Sequence, residues 1–221
     1  MTTRTLTLLC SISVALAAIV GGAQDLTPSG TGRNPVVLRI DGEPVRAAEI
    51  SLVMLNLQAQ LKAVGQEMDT RQLMDQATQR VIEQRLLARE ARRAGLSPDP
   101  ARIQQMLAAA EQQAGGAEQL AANLAAAGSS RAELEKVVEH LELSRVLIAE
   151  QVAPTIEVSD EEARRFYDEH QDFFQSGDAA VPFDAAAAQA RALAGQQKTA
   201  EAVRALLERL ASKAVVEFTQ G

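Results

Sequence analysis

The chain has 221 residues, a formal charge of −7 and 47% apolar residues, yet no Trp, one Tyr and five Phe. Alanine is the commonest residue (41) and glutamine is abundant (20); Ala, Gln, Leu, Glu and Arg are helix residues, which excludes an all-β sandwich or barrel. The absence of regular apolar strands with a Gly-rich phosphate loop excludes a Rossmann-type enzyme, and the acidic balance argues against a nucleic-acid partner, which needs clustered cations.

Arg4 is the only charge before Asp25. An apolar run, Thr5 to Val20, follows it and ends in Gly21-Gly22-Ala23. This order predicts an export signal over residues 1–23, cleaved after about Ala23. The alternative is an uncleaved anchor in the inner membrane, because the run is near the lower length for a span. A membrane partner is expected only in that case. Cys10 follows Leu9, where a lipid-attachment site needs a small residue. Cleavage would remove Arg4 and Cys10, leaving 198 residues, no cysteine and a charge of −8. A core of that size needs no disulfide. Residues 24–35, rich in Thr, Pro, Ser, Gly and Asn, read as a disordered leader.

Val36–Ile40 reads as a strand, Asp41-Gly42 as a turn, and Pro44-Val45 as continuing extended. Ile50, Val53, Met54, Leu57 and Leu61 recur at helical steps and predict a helix over about 47–64, stopped by Gly65. Asp69 with Gln72 opens a second helix to about Ala94, carrying Met74, Ala77, Val81, Leu87 and Ala91. Its late arginines, Arg85, Arg89, Arg92 and Arg93, suit a helix C-terminus; an anion or client contact is the alternative. Asp99-Pro100 caps a third helix, which Gly115-Gly116 breaks. A short Ala-rich helix spans about 118–127, and Ser130 with Glu133 opens a long one that Pro154 closes after Val152. Thr155–Val158 reads as extended, and Ser159 with Glu162 opens a helix holding Phe166 and Tyr167.

Residues 175–182 read as a short linker, followed by a last helix over roughly 183–213 with Val203, Leu206, Leu207 and Leu210 on one face. Val215–Phe218 is a closing strand and the natural partner of Val36–Ile40. The expected fold is therefore mainly α, with a small two-stranded β ribbon joining the two ends. Residues 36–174 form its helical domain, and 183–221 supply a helix and strand packing back on it.

No catalytic site can be assembled from the residues. His140 and His170 stand outside any metal-ligand spacing and read as surface or capping histidines. No G-x-S-x-G or P-loop occurs. Asp160-Glu161-Glu162 suits a helix N-terminus. No catalytic residue, metal ligand or cofactor is assigned. An aliphatic interaction surface remains. All six aromatic rings lie between Phe166 and Phe218, so residues 24–165 must bind through Leu, Ile, Val, Met and Ala. Met54, Leu57, Leu61, Met74 and Met106 are the candidate client-binding residues, methionine being suited to shape-tolerant contact. Core gap-filling is the competing role for the methionines.

Several segments resemble a known family. Val37-Leu38-Arg39-Ile40-Asp41-Gly42-Glu43-Pro44-Val45 resembles the V-x-V-N-G-E-x-I opening of SurA-like and PrsA-like exported chaperones. Val81–Leu87 with Glu90-Ala91 and Ala94-Gly95-Leu96 is similar to the family's L-I-x-x-x-L-L-x-x-E-A-x-x-x-G-L/I segment. Ile156–Glu162 with Phe166-Tyr167 and Phe173-Phe174 is similar to its I-x-V-S-D-E-E-I-x-x-Y-Y segment. Pro182-Phe183-Asp184 and Lys213–Phe218 resemble its closing helix and strand. Typical members insert a parvulin prolyl isomerase domain between the Phe-Phe segment and the closing helix; here only six residues separate Phe174 from Val181. The resemblance thus implies the SurA N-terminal, trigger-factor-like peptide-binding domain without the isomerase. Its expected function is a periplasmic, ATP-independent chaperone or assembly factor holding unfolded or nascent exported proteins, outer-membrane proteins among the possible clients. The alternatives are a dedicated adaptor for one partner and a prolyl isomerase by family label alone.

Overall fold

The computed structural model describes residues 34–176 and 179–219. The expected signal and most of the expected leader lie outside these residues. The chain divides into two compact units, which among the described residues are 34–147 with 209–219, and 148–208. The division at Ile148 falls inside the stretch read from sequence as one helical domain.

The first unit opens with β1 (Val36–Ile40) and β2 (Glu43–Arg46), an antiparallel hairpin turning at Asp41-Gly42. Asp41 and Gly42 both have positive φ, 49° and 83°, the conformation for which Asp-Gly is selected in tight hairpins. β5 (Val216–Phe218) pairs antiparallel with β1, giving the order β2-β1-β5. The expected joining of the two ends is present, and the extended Pro44-Val45 segment makes the ribbon a three-stranded sheet. Leu38, Ile40 and Val45 are its buried residues.

Five helices follow: α1 (Ala47–Ala63), α2 (Thr70–Arg93), α3 (Pro100–Ala114), α4 (Ala117–Ala126) and α5 (Arg131–Leu147). Asp69 and Asp99 accept from Gln72 N and Ala101 N, satisfying otherwise orphan N–H groups at the starts of α2 and α3. Gly115 ends α3 in the left-handed region at φ 90°. α2 packs against α1 and α5, and α3 against α4 and α5. Leu52, Met106, Leu107, Ala110, Leu120, Leu124, Leu134 and Val138 form an entirely aliphatic core cluster.

Residues 34 and 35, read as the end of a disordered leader, are held. Asn34 Oδ1 accepts from Ala48 N at 2.9 Å, its Nδ2 donates to Glu133, and Pro35 O accepts from Ala47 N. The side chain of Asn34 thereby satisfies one of the free N–H groups at the start of α1.

In the second unit the long helix expected to reach Val152 changes character. α5 stops at Leu147, Ile148–Val152 is π-helical and Ala153–Thr155 is a 3₁₀ turn. Pro154 lies within that turn, where its missing N–H is tolerated, and so does Thr155, which was read as extended. α6 (Asp160–Glu169) has the complete Ser159–Glu162 capping box. The expected linker contains a two-stranded turn, β3 (Gln175–Ser176) with β4 (Ala179–Ala180). α7 (Phe183–Ala211) then packs its small face, Ala186, Ala190 and Ala194, on Phe166, Tyr167 and Phe174. Tyr167 donates its hydroxyl proton to Val181 O at 2.6 Å. Alanine at these positions leaves room for the rings, so most of the chain's few aromatics are gathered in one place.

Candidate functional site

The candidate client-binding residues separate by depth. Met54 and Leu57 lie on the buried face of α1, and Met106 is part of the α3–α4–α5 core cluster. These three fill the interior, the competing role noted for the methionines. Leu61, in the last turn of α1, is half-buried. Met74 is 50% exposed. The apolar stripe of α2 runs through Leu73, Ala77, Val81, Ala88 and Ala91, and Met74, one residue on, is rotated about 100° off it.

Met74 and Leu61 flank Met68, a methionine of the same shape-tolerant kind, and Val64, which the sequence pattern does not single out. Val64, at the end of α1, is 66% exposed, and Met68, just before the Asp69 cap, is half-buried. The α1–α2 turn therefore carries Leu61, Val64, Met68 and Met74 within fourteen residues. Gly65 and the Asp69 cap hold this turn: Gly65 N and Gln66 N donate to Lys62 O and Leu61 O. The signal available in sequence was the interruption of helical periodicity between two apolar runs, which marks residues free to face solvent.

The charged residues form a different constellation. Arg85 grips Glu49 bidentately, Nε to Oε1 at 2.9 Å and Nη2 to Oε2 at 2.6 Å, and Nη2 also donates to Pro44 O at 3.2 Å. His140 is buried, with Nδ1 3.8 Å from Glu49 Oε1. This corrects its reading as a surface or capping histidine: α5 turns position 140 inward onto α1, where a carboxylate offsets its burial. Burial would raise the Glu49 pKa, but the hydrogen bonds and charges of Arg85 and the adjoining His140 outweigh it and hold the carboxyl at about 2. A carboxylate so held is a poor proton acceptor near neutrality; its geometry is that of a clamp between α1, α2 and β2.

Arg89 pairs with Asp41, and Arg92 with Glu139 at 2.7 Å. Three of the four arginines read as complements to the α2 dipole, Arg85, Arg89 and Arg92, thus make ion pairs outside α2. Glu142, 1% exposed, is held by Arg145 at 2.8 and 2.6 Å, while Arg102 Nε approaches to 3.3 Å without hydrogen-bond alignment. In the second unit, Lys198 Nζ lies 2.8 Å from Glu162 and, with Ser159, lowers that carboxyl to about 2. His170 caps α6 with its ring stacked on Phe166, in line with the capping role read from sequence. Among the described residues no group of three or more His, Cys, Asp or Glu could hold a metal, and no helix is long and apolar enough to cross a membrane.

Residues 2–148 match the model of a family described as the SurA-like N-terminal domain. A solved chain from work on the Campylobacter jejuni virulence factor PEB4 and periplasmic protein Cj1289, described as two structurally related SurA-like chaperones, is similar at 12% identity. That similarity covers 85% of this chain and 100% of the solved one, at a TM-score of 0.47. No curated protein matches the sequence.

Proposed function

Since the chain belongs to the family of SurA-like N-terminal domains, we propose that it is an exported, ATP-independent chaperone that holds unfolded segments of other exported proteins and catalyses no prolyl isomerisation. The family relation supports a chaperone role in general. The observation that carries the finer reading is the α1–α2 turn, where the apolar side chains of Val64 and Met74 face solvent beside half-buried Leu61 and Met68. Single exposed apolar residues are ordinary; two exposed and two half-buried apolar side chains within fourteen residues of a chain with charge −7 support an adhesive spot there. Two of the four are methionines, whose flexible thioethers adapt to different side chains. Contacts of this kind are individually weak, which suits release without ATP.

Export rests on residues 1–23, whose order of charge, apolar run and small-residue site is that of a cleaved signal. The periplasm is the compartment proposed, in keeping with the cysteine-free mature sequence. The absence of isomerase activity rests on the six residues between Phe174 and Val181, too few for a catalytic domain.

The test is suppression of aggregation of several unrelated unfolded exported proteins, run beside a proline-limited refolding assay. Wild-type protein is expected to suppress aggregation at near-stoichiometric ratio and to leave the slow refolding phase unchanged. The double substitution Val64→Asp with Met74→Asp is expected to weaken suppression at least threefold with an unaltered melting temperature, both sites being exposed. Tight binding to one folded partner without suppression would favour the adaptor reading instead.

A further inference from the structure

β5 stands at an edge of the β2-β1-β5 sheet. Asp41 N donates to Val215 O at 2.8 Å and Thr219 N to Val37 O at 3.1 Å, so Val215 and Thr219 turn their backbone groups toward β1. The alternation of an antiparallel ladder then points the N–H and C=O of Val216 and Phe218 outward, along the open edge. Among the described residues nothing pairs with them. Leu38 stands opposite Phe218 and Ile40 opposite Val216; residues directly opposite share a face, so the apolar face of β1 continues across β5 and stops there. Phe218 is 68% exposed and Val215 58%.

The other edge of the same sheet is protected. β2 contains Pro44, which has no N–H to offer, and the charged Glu43 and Arg46 at its two ends, and its register with β1 slips between Val36 and Leu38. Proline, charge and irregularity are the usual means of blocking strand addition. β5 has a single charge, Glu217, which makes no ion pair among the described residues; Arg39, opposite it, donates to Gly42 O instead.

That charge selects the occupant. A second copy of the chain pairing through both outward residues would set Val216 against Phe218 of the other copy and bring two Glu217 side chains directly opposite, where like charges repel. A heterologous strand with a cation at that position gains an ion pair instead. We propose that the outer edge of β5 takes up an extended client segment by strand addition, apolar at alternate positions with a Lys or Arg between them opposite Glu217. This rests on the holding function and names the client chemistry that one of its surfaces prefers. Main-chain pairing is indifferent to side-chain identity, and only two residues contribute, so binding is broad and reversible.

The test uses the full-length chain and two fluorescein-labelled peptides, Ser-Thr-Val-Lys-Val-Thr-Ser and its Glu counterpart Ser-Thr-Val-Glu-Val-Thr-Ser, by anisotropy. The Lys peptide is expected to bind at least fivefold more tightly than the Glu peptide, and Glu217→Lys to reverse the order. Val216→Pro deletes an outward N–H and leaves every bond to β1 intact, so it is expected to weaken the Lys peptide at least tenfold with an unchanged far-UV spectrum. Should that variant misfold, the Lys peptide N-methylated at its two valines supplies the same test on unaltered protein. Equal binding by the methylated and parent peptides, or no reversal in Glu217→Lys, overturns the proposal. A dimer dissociated by Val216→Pro also overturns it, since a second copy would then hold the edge. Failure of the edge variants alone, with aggregation suppression intact, leaves the holding function standing; absence of suppression by wild-type protein removes that function itself.

Discussion

Glu49 shows how far a single side chain can be committed. It is buried against a bidentate Arg85 fork and beside His140, and its carboxyl is held at about 2 against an ordinary value of 4.5. A lowered carboxylate pKa contributes stability that is complete above about 4.5 and is lost as pH falls toward 2. The shift corresponds to roughly 3 kcal/mol, using 1.36 kcal/mol per unit. Acid unfolding should therefore steepen between pH 4.5 and 2, and Glu49→Gln should remove that part of the slope. At pH 7 the same variant is expected to lose about 3 kcal/mol, because Arg85 is left with only the exposed Glu43, 3.6 Å away, as counter-ion. Urea titrations across that pH range check both statements. None of this could be read from the sequence: Glu49 is an ordinary first-turn acid in the helical pattern, and Arg85 lies 36 positions away.

At the scale of elements, local chemistry was legible wherever the governing contact lies within about four residues. Asp69, Asp99 and Ser159 cap the helices they were read to cap, because each side chain bonds an N–H two or three positions on. The Asp41-Gly42 turn belongs to the same class, yet the structure gives Asp41 more to do. Its Oδ1 accepts from Val215 N at 2.8 Å, and the carboxylate also pairs with Arg89. Asp41→Ala should consequently cost about 2 kcal/mol through the loss of a charge-assisted hydrogen bond. Amide exchange should accelerate selectively at residues 215–219, whereas a purely local turn effect would spread over residues 36–46. The π-helical stretch at Ile148–Val152 gave no such signal, since the apolar spacing Leu141, Ile148, Val152 continues a regular helix on paper.

At the scale of the whole molecule, the first unit is closed by a strand from the far end of the chain. Val215 and Asp41 are 174 positions apart, and β1, with Leu38 and Ile40 buried, would become an edge without β5. A chain ending at Ala211 should lose about 2 kcal/mol and melt about 5 °C lower, on the scaling for domains of this size. It should also self-associate, because an uncovered apolar strand is a template for pairing. Calorimetry with sedimentation velocity measures both. An unchanged melting temperature would mean that β5 covers β1 without stabilising it. The joining of the two ends was legible because a lone apolar strand needs a partner and Val215–Phe218 reads as a second strand.

The sequence by itself determined the helical class, the caps and breaks, the aliphatic character of residues 24–165 and the family to which the segments point. Each depends on composition or on contacts between near neighbours. Only the tertiary structure decided which apolar residues face water. Met54, Leu57 and Met106 went inside while Val64 and Met74 stayed out, although all five are apolar residues in or beside predicted helices. Helical periodicity fixes relative angle within one helix, but the neighbour that covers a given face comes from elsewhere in the chain. The same reason governs His140, Asn34 and the open edge of β5: each takes its role from a partner, or the want of one, that distance along the sequence conceals.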